Sequence, residues 1–224
     1  MDISYRIKAI SERVEKACLF VKRSPSEITI IGASKAQPPD KISKAFAGGI
    51  HSFGENYLQE YLRKSADCPA GIEWHYIGRI QSNKASKIGE CFDWIQTLDS
   101  ENKARLVSEG AIKSGRMKNV LVEVNIANEP QKGGIPPTEV AKFVNILYSL
   151  DGIRVRGLMT MGPPNPSPED LRLYFKRMRG LLESLKDERM DTLSMGMSED
   201  FEIAIQEGAT HIRIGRALFG ERDS

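Results

Sequence analysis

Cysteine and histidine are both scarce. Cys18, Cys68 and Cys91, and His51, His75 and His211, are scattered through 224 residues with neither CxxC nor HExxH spacing. Neither a disulfide framework nor a dedicated transition-metal site is therefore expected. Long apolar runs are missing too: a membrane-spanning helix needs about 20 such residues, and no stretch approaches that. The N-terminal stretch carries Asp2, Arg6, Lys8, Glu12, Arg13, Glu15 and Lys16, which excludes the unbroken apolar segment of a secretion signal. Neither sign of charge dominates. Lys plus Arg is 32 and Asp plus Glu is 30, a net charge of +2, so neither a nucleic-acid nor a membrane partner is expected. What remains is 40% hydrophobic and 28% charged. That is ordinary globular composition, and the reading is a reduced, cytoplasmic protein.

The order of elements carries more. Ile3, Ile7, Ile10, Val14, Ala17 and Val21 recur at intervals of four and three, one apolar seam on a helix that Ser24 and Pro25 end. Residues 1–24 are thus expected to form a helix packed as a lid or bottom cover on a body comprising residues 25–224. From there strands alternate with helical patterns. Strands are expected at 28–33, 51–53, 72–77, 94–98, 120–126, 153–159, 192–195 and 211–214. Helices are expected between them at 38–47, 57–62, 83–90, 102–113, 138–150, 171–186 and 199–207. Eight strands alternating with helices predict a single closed (β/α)8 TIM barrel, which runs from about 200 residues upward. An open doubly wound sheet is the alternative, but it would bring a GxGxxG turn, and none follows any strand.

In such a barrel, chemistry sits where strands end. Lys35 follows the first strand. An amine there, partly desolvated, is suited to Schiff-base formation, although a surface lysine opening a loop has the same spacing. Ser198 follows the seventh strand, at the expected N-cap of a helix beginning with Glu199 and Asp200. Capping alone explains those three residues, and a phosphate site is the functional alternative. Arg213, Gly215 and Arg216 end the eighth strand, and barrel phosphate sites are often built from the loops after strands seven and eight. Arg213, inside the strand, needs an acceptor: a cofactor ring nitrogen or a salt-bridge partner. Asn56 either meets a ligand or caps a helix. His75 reads as a core or pore histidine, Met159 as packing, and the proline-rich loop 162–168 as a stiff fence at the mouth. A lysine opposite a phosphate cradle calls for a carbonyl phosphate, either a sugar phosphate in an aldolase or pyridoxal 5'-phosphate (PLP).

Seven motifs in order narrow that choice: GASK at 32–35, FGENYLQE at 53–60, WHYIG at 74–78, QSNK at 81–84, RGLM at 156–159, LSMGMS at 193–198 and RIG at 213–215. Together they resemble the pyridoxal phosphate homeostasis protein family, whose barrel is similar to the N-terminal domain of alanine racemase. The resemblance implies that Lys35 holds PLP as a Schiff base. It also implies that Ser198, Gly215 and the Arg216 backbone hold the phosphate, that Arg213 faces the pyridine nitrogen, and that Asn56 and Met159 line the ring. One departure stands out: the residue after RIG is usually a small hydroxyl residue in this family, and here it is Arg216. The family binds and buffers PLP, supplying apo PLP-dependent enzymes and affecting amino acid balance, without a robust reaction of its own. The chain ends ten residues past the last expected strand, so the racemases' second domain, with its catalytic tyrosine, is expected to be absent, and a monomer is expected. A PLP-dependent racemase and a cofactor-free aldolase remain as alternatives, as does an interaction module in which Lys35 is dispensable.

Overall fold

The computed structural model describes residues 2–127, 129, 133–162 and 166–221. Its strands are β1 (Thr29–Ala33), β2 (Ser52–Glu55), β3 (Glu73–Tyr76), β4 (Trp94–Leu98), β5 (Lys118–Glu123), β6 (Ile153–Met159), β7 (Thr192–Met197) and β8 (His211–Ile214). Every neighbouring pair is parallel and in chain order, and β8 pairs with β1, so the sheet closes into a barrel. The helices are α1 (Ile3–Phe20), α2 (Pro39–Ala47), α3 (Leu58–Lys64), α4 (Ser82–Cys91), α5 (Glu101–Ser114), α6 (Val140–Leu147), α7 (Pro168–Ser184), α8 (Phe201–Gln206) and α9 (Arg216–Phe219).

The expected architecture is present, with local corrections. β5 begins two residues early, at Lys118, and stops at Glu123. Lys118 is fully buried, and its ammonium donates to the Glu90 carbonyl at 3.1 Å. A lysine stem can lie against apolar surface while its head finds an acceptor, and the polar Lys118–Asn119 pair hid the start of the strand. β7 runs two residues longer than expected, which delays the next helix to Phe201. Of the proline-rich loop, Pro163, Pro164 and Asn165 lie outside the described residues.

The α1 seam is buried from Ile3 through Ile7, Ile10 and Val14 to Ala17, but the helix ends at Phe20, and Val21, expected in the seam, is its half-buried C-cap. Each of the larger ones contributes roughly 1.5–3 kcal/mol when fully buried. The helix is neither a lid nor a bottom cover. It packs against α2, α8 and α9, and Arg13 forms a two-pronged ion pair with Glu202 at 2.9 and 2.7 Å. The helix after β8 has only four residues, too few to cover the seam where β8 meets β1. α1 supplies the missing side of the helical ring.

Candidate functional site

At the strand C-terminal ends a cavity of about 230 Å³ opens, lined by Ala33, Lys35, Asn56, Ile77, Met161, Met197, Ser198, Glu199, Asp200, Arg213, Gly215 and Arg216. Six of the seven site residues expected from sequence meet there. The seventh, Met159, does not line it. Met159 is 1% exposed and forms a separate apolar cluster with Trp94 and Leu121.

The turn that carries Lys35 is held from below. Ser34 donates its amide to the Gly54 carbonyl at 2.9 Å and its hydroxyl to Glu55. Ala36 takes a left-handed φ of 59°, costly for a residue with a Cβ, and its amide donates to Glu60. Beneath both lies the Lys64 ammonium. It contacts the Ser34 carbonyl at 2.7 Å, the Gln37 carbonyl at 3.2 Å, Glu60 at 2.8 Å and Glu55 at 2.7 Å. Burial pushes the Glu55 carboxyl up, while the bonds from Lys64 and Ser34 hold it down. The FGENYLQE segment thus supplies, with Lys64 one turn beyond Glu60, a clamp for the lysine turn. Sequence reasoning missed the clamp; the Glu60–Lys64 spacing of four on α3 was the available signal.

Asn56 sits above β2, where Gly78 packs on it. A Cβ at Gly78 would lie 2.1 Å from the Asn56 carbonyl oxygen, which explains the glycine ending WHYIG. The Asn56 Oδ1 is buried with no hydrogen-bond partner among the described residues. It does not cap α3, whose N-cap is Tyr57.

On the far wall, the β7–β8 pairing shifts register between Ser194 and Met197, with Gly196 at φ 93°. A Cβ there would also meet Ala204 at 2.6 Å. This bulge turns Ser198 toward the cavity. Ser198 is not a helix cap, contrary to its sequence context: α8 is preceded by Asp200, which accepts the Met197 amide. The Ser198 hydroxyl oxygen instead accepts the Ala217 amide at 3.3 Å, tying the β7 loop to the β8 loop. The Arg216 guanidinium pairs with Glu199 at the rim. Burial pushes the Asp200 carboxyl up.

Arg213 forms the floor, 6% exposed. It has no carboxylate partner among the described residues; it donates to the Ser194 hydroxyl at 2.7 Å and the Thr160 carbonyl at 2.8 Å. Burial lowers its pKa to about 10, so it remains a cation at neutral pH. Beside it, Glu123 ends β5. Burial, then the neighbouring Asp99, raise its pKa to about 6. Neither His75 nor Tyr57 lines the cavity: His75 is buried in the barrel interior and Tyr57 is 64% exposed. Among the described residues there is no cluster able to hold a metal ion, and no helix long and apolar enough to cross a membrane.

Known proteins share this fold and much of this sequence. The family described as alanine racemase, N-terminal domain, matches residues 6–223. The pyridoxal phosphate homeostasis protein of Aquifex aeolicus is 40% identical, covering 99% of both chains. That of Escherichia coli K12 is 36% identical over 99% of this chain and 97% of its own. Among solved structures, PipY of Synechococcus elongatus PCC7942 with PLP bound superimposes with a TM-score of 0.84 at 32% identity, covering 98% of this chain and 100% of that one. An alanine racemase of Clostridium difficile shares the fold alone, with a TM-score of 0.73 at 15% identity over 95% of this chain and 58% of that one. With the barrel, the lysine turn and the two-loop wall in place, the chain belongs to the pyridoxal phosphate homeostasis protein family.

Proposed function

We propose that this chain binds PLP through Lys35 and acts in PLP homeostasis, holding the cofactor and supplying it to apo PLP-dependent enzymes in the cytoplasm as a monomer. The carrying observation is that Lys35, Ser198, Gly215, Arg216 and Arg213 line one cavity. The residues fit the group: an amine faces a wall with a hydroxyl, and a buried cation forms the floor. The unpartnered Asn56 oxygen marks a polar position left for a ligand.

PLP, when bound, supplies an aldehyde that condenses reversibly with amines. The chain's part is positioning. The Glu55–Lys64–Glu60 clamp fixes the turn so that the Lys35 amine meets the aldehyde carbon. Ser198 and the backbone at Gly215 and Arg216 hold the phosphate; the Arg216 amide serves where a hydroxyl residue is usual. Arg213 donates to the pyridine nitrogen and, being cationic, keeps a proton off it, which weakens the ring as an electron sink. Asn56 lines the ring.

A racemase needs a proton donor or acceptor on each face of its substrate. Lys35 serves one face, and neither His75 nor Tyr57 reaches the cavity, so the geometry favours the carrier. Borohydride reduction of the PLP-loaded protein followed by peptide mapping is expected to place the pyridoxyl group on Lys35. An adduct on Lys84, or on Lys132 (outside the described residues), would overturn the assignment. Exchange of the alanine α-proton in deuterated water at about 1–10³ s⁻¹ would overturn the carrier reading. Activation of an apo PLP enzyme in the presence of a trap for free cofactor would support direct transfer.

A further inference from the structure

A file of polar side chains runs through the inside of the barrel, beneath the cavity. Arg213 Nη1 donates to Ser194 Oγ at 2.7 Å. Ser194 Oγ lies 2.7 Å from Gln96 Oε1, Gln96 Nε2 lies 2.9 Å from His75 Nδ1, and His75 Nε2 lies 3.1 Å from Glu73 Oε2. Ser194, Gln96 and His75 are all 0% exposed. The five residues come from β8, β7, β4 and β3, so the file crosses the barrel interior rather than following one strand.

Its two ends are chemically opposite. A guanidinium can only donate and a carboxylate can only accept. The Ser194 oxygen accepts a hydrogen bond from Arg213, so its own hydroxyl donates to Gln96 Oε1. The Gln96 amide nitrogen then faces His75 Nδ1 and donates to it. Nδ1 is therefore bare, and the ring proton sits on Nε2, where Glu73 accepts it. Reversing the file would set a bare Nε2 against the carboxylate unless His75 gained a second proton. Both ends thus dictate one polarity, and every member has its partner.

We propose that Ser194, Gln96 and His75 are positioning residues for Arg213: the file holds its guanidinium as a donor at the cavity floor and fixes His75 as the Nε2–H tautomer, leaving it no nitrogen with which to act as a base. The inference rests on the reading of Arg213 as the donor to the pyridine nitrogen. Two arms test it. In the ligand-free protein, ¹⁵N shifts of the His75 ring are expected to show Nε2 protonated and Nδ1 bare, and Gln96→Met, which leaves Glu73 as the acceptor, is expected to keep that tautomer while shifting the Nδ1 resonance that has lost its donor. A wild-type Nδ1–H tautomer would overturn the file's polarity.

In the second arm PLP is titrated into the wild type and variants. Gln96 does not line the cavity, yet Gln96→Met is expected to weaken PLP by about ten-fold, the size of one hydrogen bond to a charged group. It is also expected to shift the absorption maximum of the bound cofactor. Gln96→Glu, which keeps an acceptor for Ser194, restores both, although as a carboxylate it cannot donate to His75 and draws a second proton onto Nδ1. If Gln96→Met fails to fold, Ser194→Ala cuts the file one link nearer Arg213 and is expected to give the same shift. A folded variant with unchanged affinity and spectrum overturns the proposal. Failure of the wild type to bind PLP defeats the cofactor reading alone, and the tautomer then decides the file.

Discussion

The two ends of the barrel interior are built on opposite terms. At the strand N-terminal end, Glu73 accepts from His75, from the Trp94 indole at 2.9 Å and from the Ser52 hydroxyl at 3.0 Å. Those bonds, His75 first, hold its carboxyl down at about 2. His75 stacks on Trp94 with centroids 5.4 Å apart. Burial pushes His211 down to about 3, so it stays neutral. At the other end Asn56 has an orphaned oxygen, Ala36 sits in a left-handed conformation, β7 is bulged, and Glu123 titrates near neutrality. One end is finished without a ligand; the other keeps unmet hydrogen bonds and backbone strain where a ligand would enter. Strain and orphaned groups gather at sites that something else completes.

The largest effect in that contrast should come from Lys64. Lys64→Met removes the cation from four acceptors and leaves Glu55 buried without a counter-charge. Breaking one partner of such a pair costs about 3–5 kcal/mol, to be read by urea unfolding, and Lys64→Met with Glu55→Gln should recover much of it. A loss below about 1 kcal/mol would show the clamp to be ornamental. Next comes Ser198→Ala. A hydrogen bond to a charged group contributes roughly 1.5–3 kcal/mol, so PLP should bind about ten-fold or more weakly. Pyridoxal, lacking the phosphate, should barely respond; equal losses for both would remove Ser198 from the phosphate wall.

Glu123 sharpens the contrast through pH. Its folded pKa of about 6 lies above the ordinary 4.5, so the native state holds the proton more tightly. The group's contribution is most favourable below pH 4.5 and is lost as pH rises through 6. Glu123→Gln should therefore be more stable than the wild type by about 1–2 kcal/mol at pH 8 and nearly equal to it at pH 4, as measured by denaturant midpoints. Equal differences at both pH values would show that Glu123 is not desolvated. The smallest effect is expected at Met159. Because it packs with Trp94 and Leu121 rather than facing the cavity, Met159→Leu should change PLP affinity by less than about two-fold. A large change would return Met159 to the site.

The fold was legible because its signals are periodic. The α1 seam and the eight apolar runs each repeat the spacing of the element they form, and all found their place. The site was legible as far as position after a strand could carry it, which brought Lys35, Asn56, Ser198, Arg213, Gly215 and Arg216 to one cavity. What escaped was set by contacts distant in sequence. Ser198 followed by two acids reads like a helix start, but the bulged strand runs on to Met197 and the helix begins only at Phe201, behind Asp200. Met159 ends its strand as a pocket residue would, yet its side chain joins the interior cluster. Lys64 looks like a surface lysine in the last turn of a helix; Glu60 is its neighbour on α3, but only the folded β1 and β2 ends bring the other three acceptors to it. Gln96, within an apolar strand, gave no sign that it would join Arg213 to His75.

The closure of the helical ring by α1 has a consequence in time. Arg13 and its partner Glu202 are 189 residues apart, so α1 leaves the ribosome long before the helices it docks against. At roughly 5–20 residues per second, α1 waits on the order of 10–40 s with its isoleucine face open to water before α8 and α9 exist. Closure of β1 onto β8 is subject to the same delay, so the nascent barrel passes through an unclosed stage with two bare sheet edges. The chain's exposure to misassociation is concentrated in that interval, and the α1 face is the surface a holding chaperone would meet first.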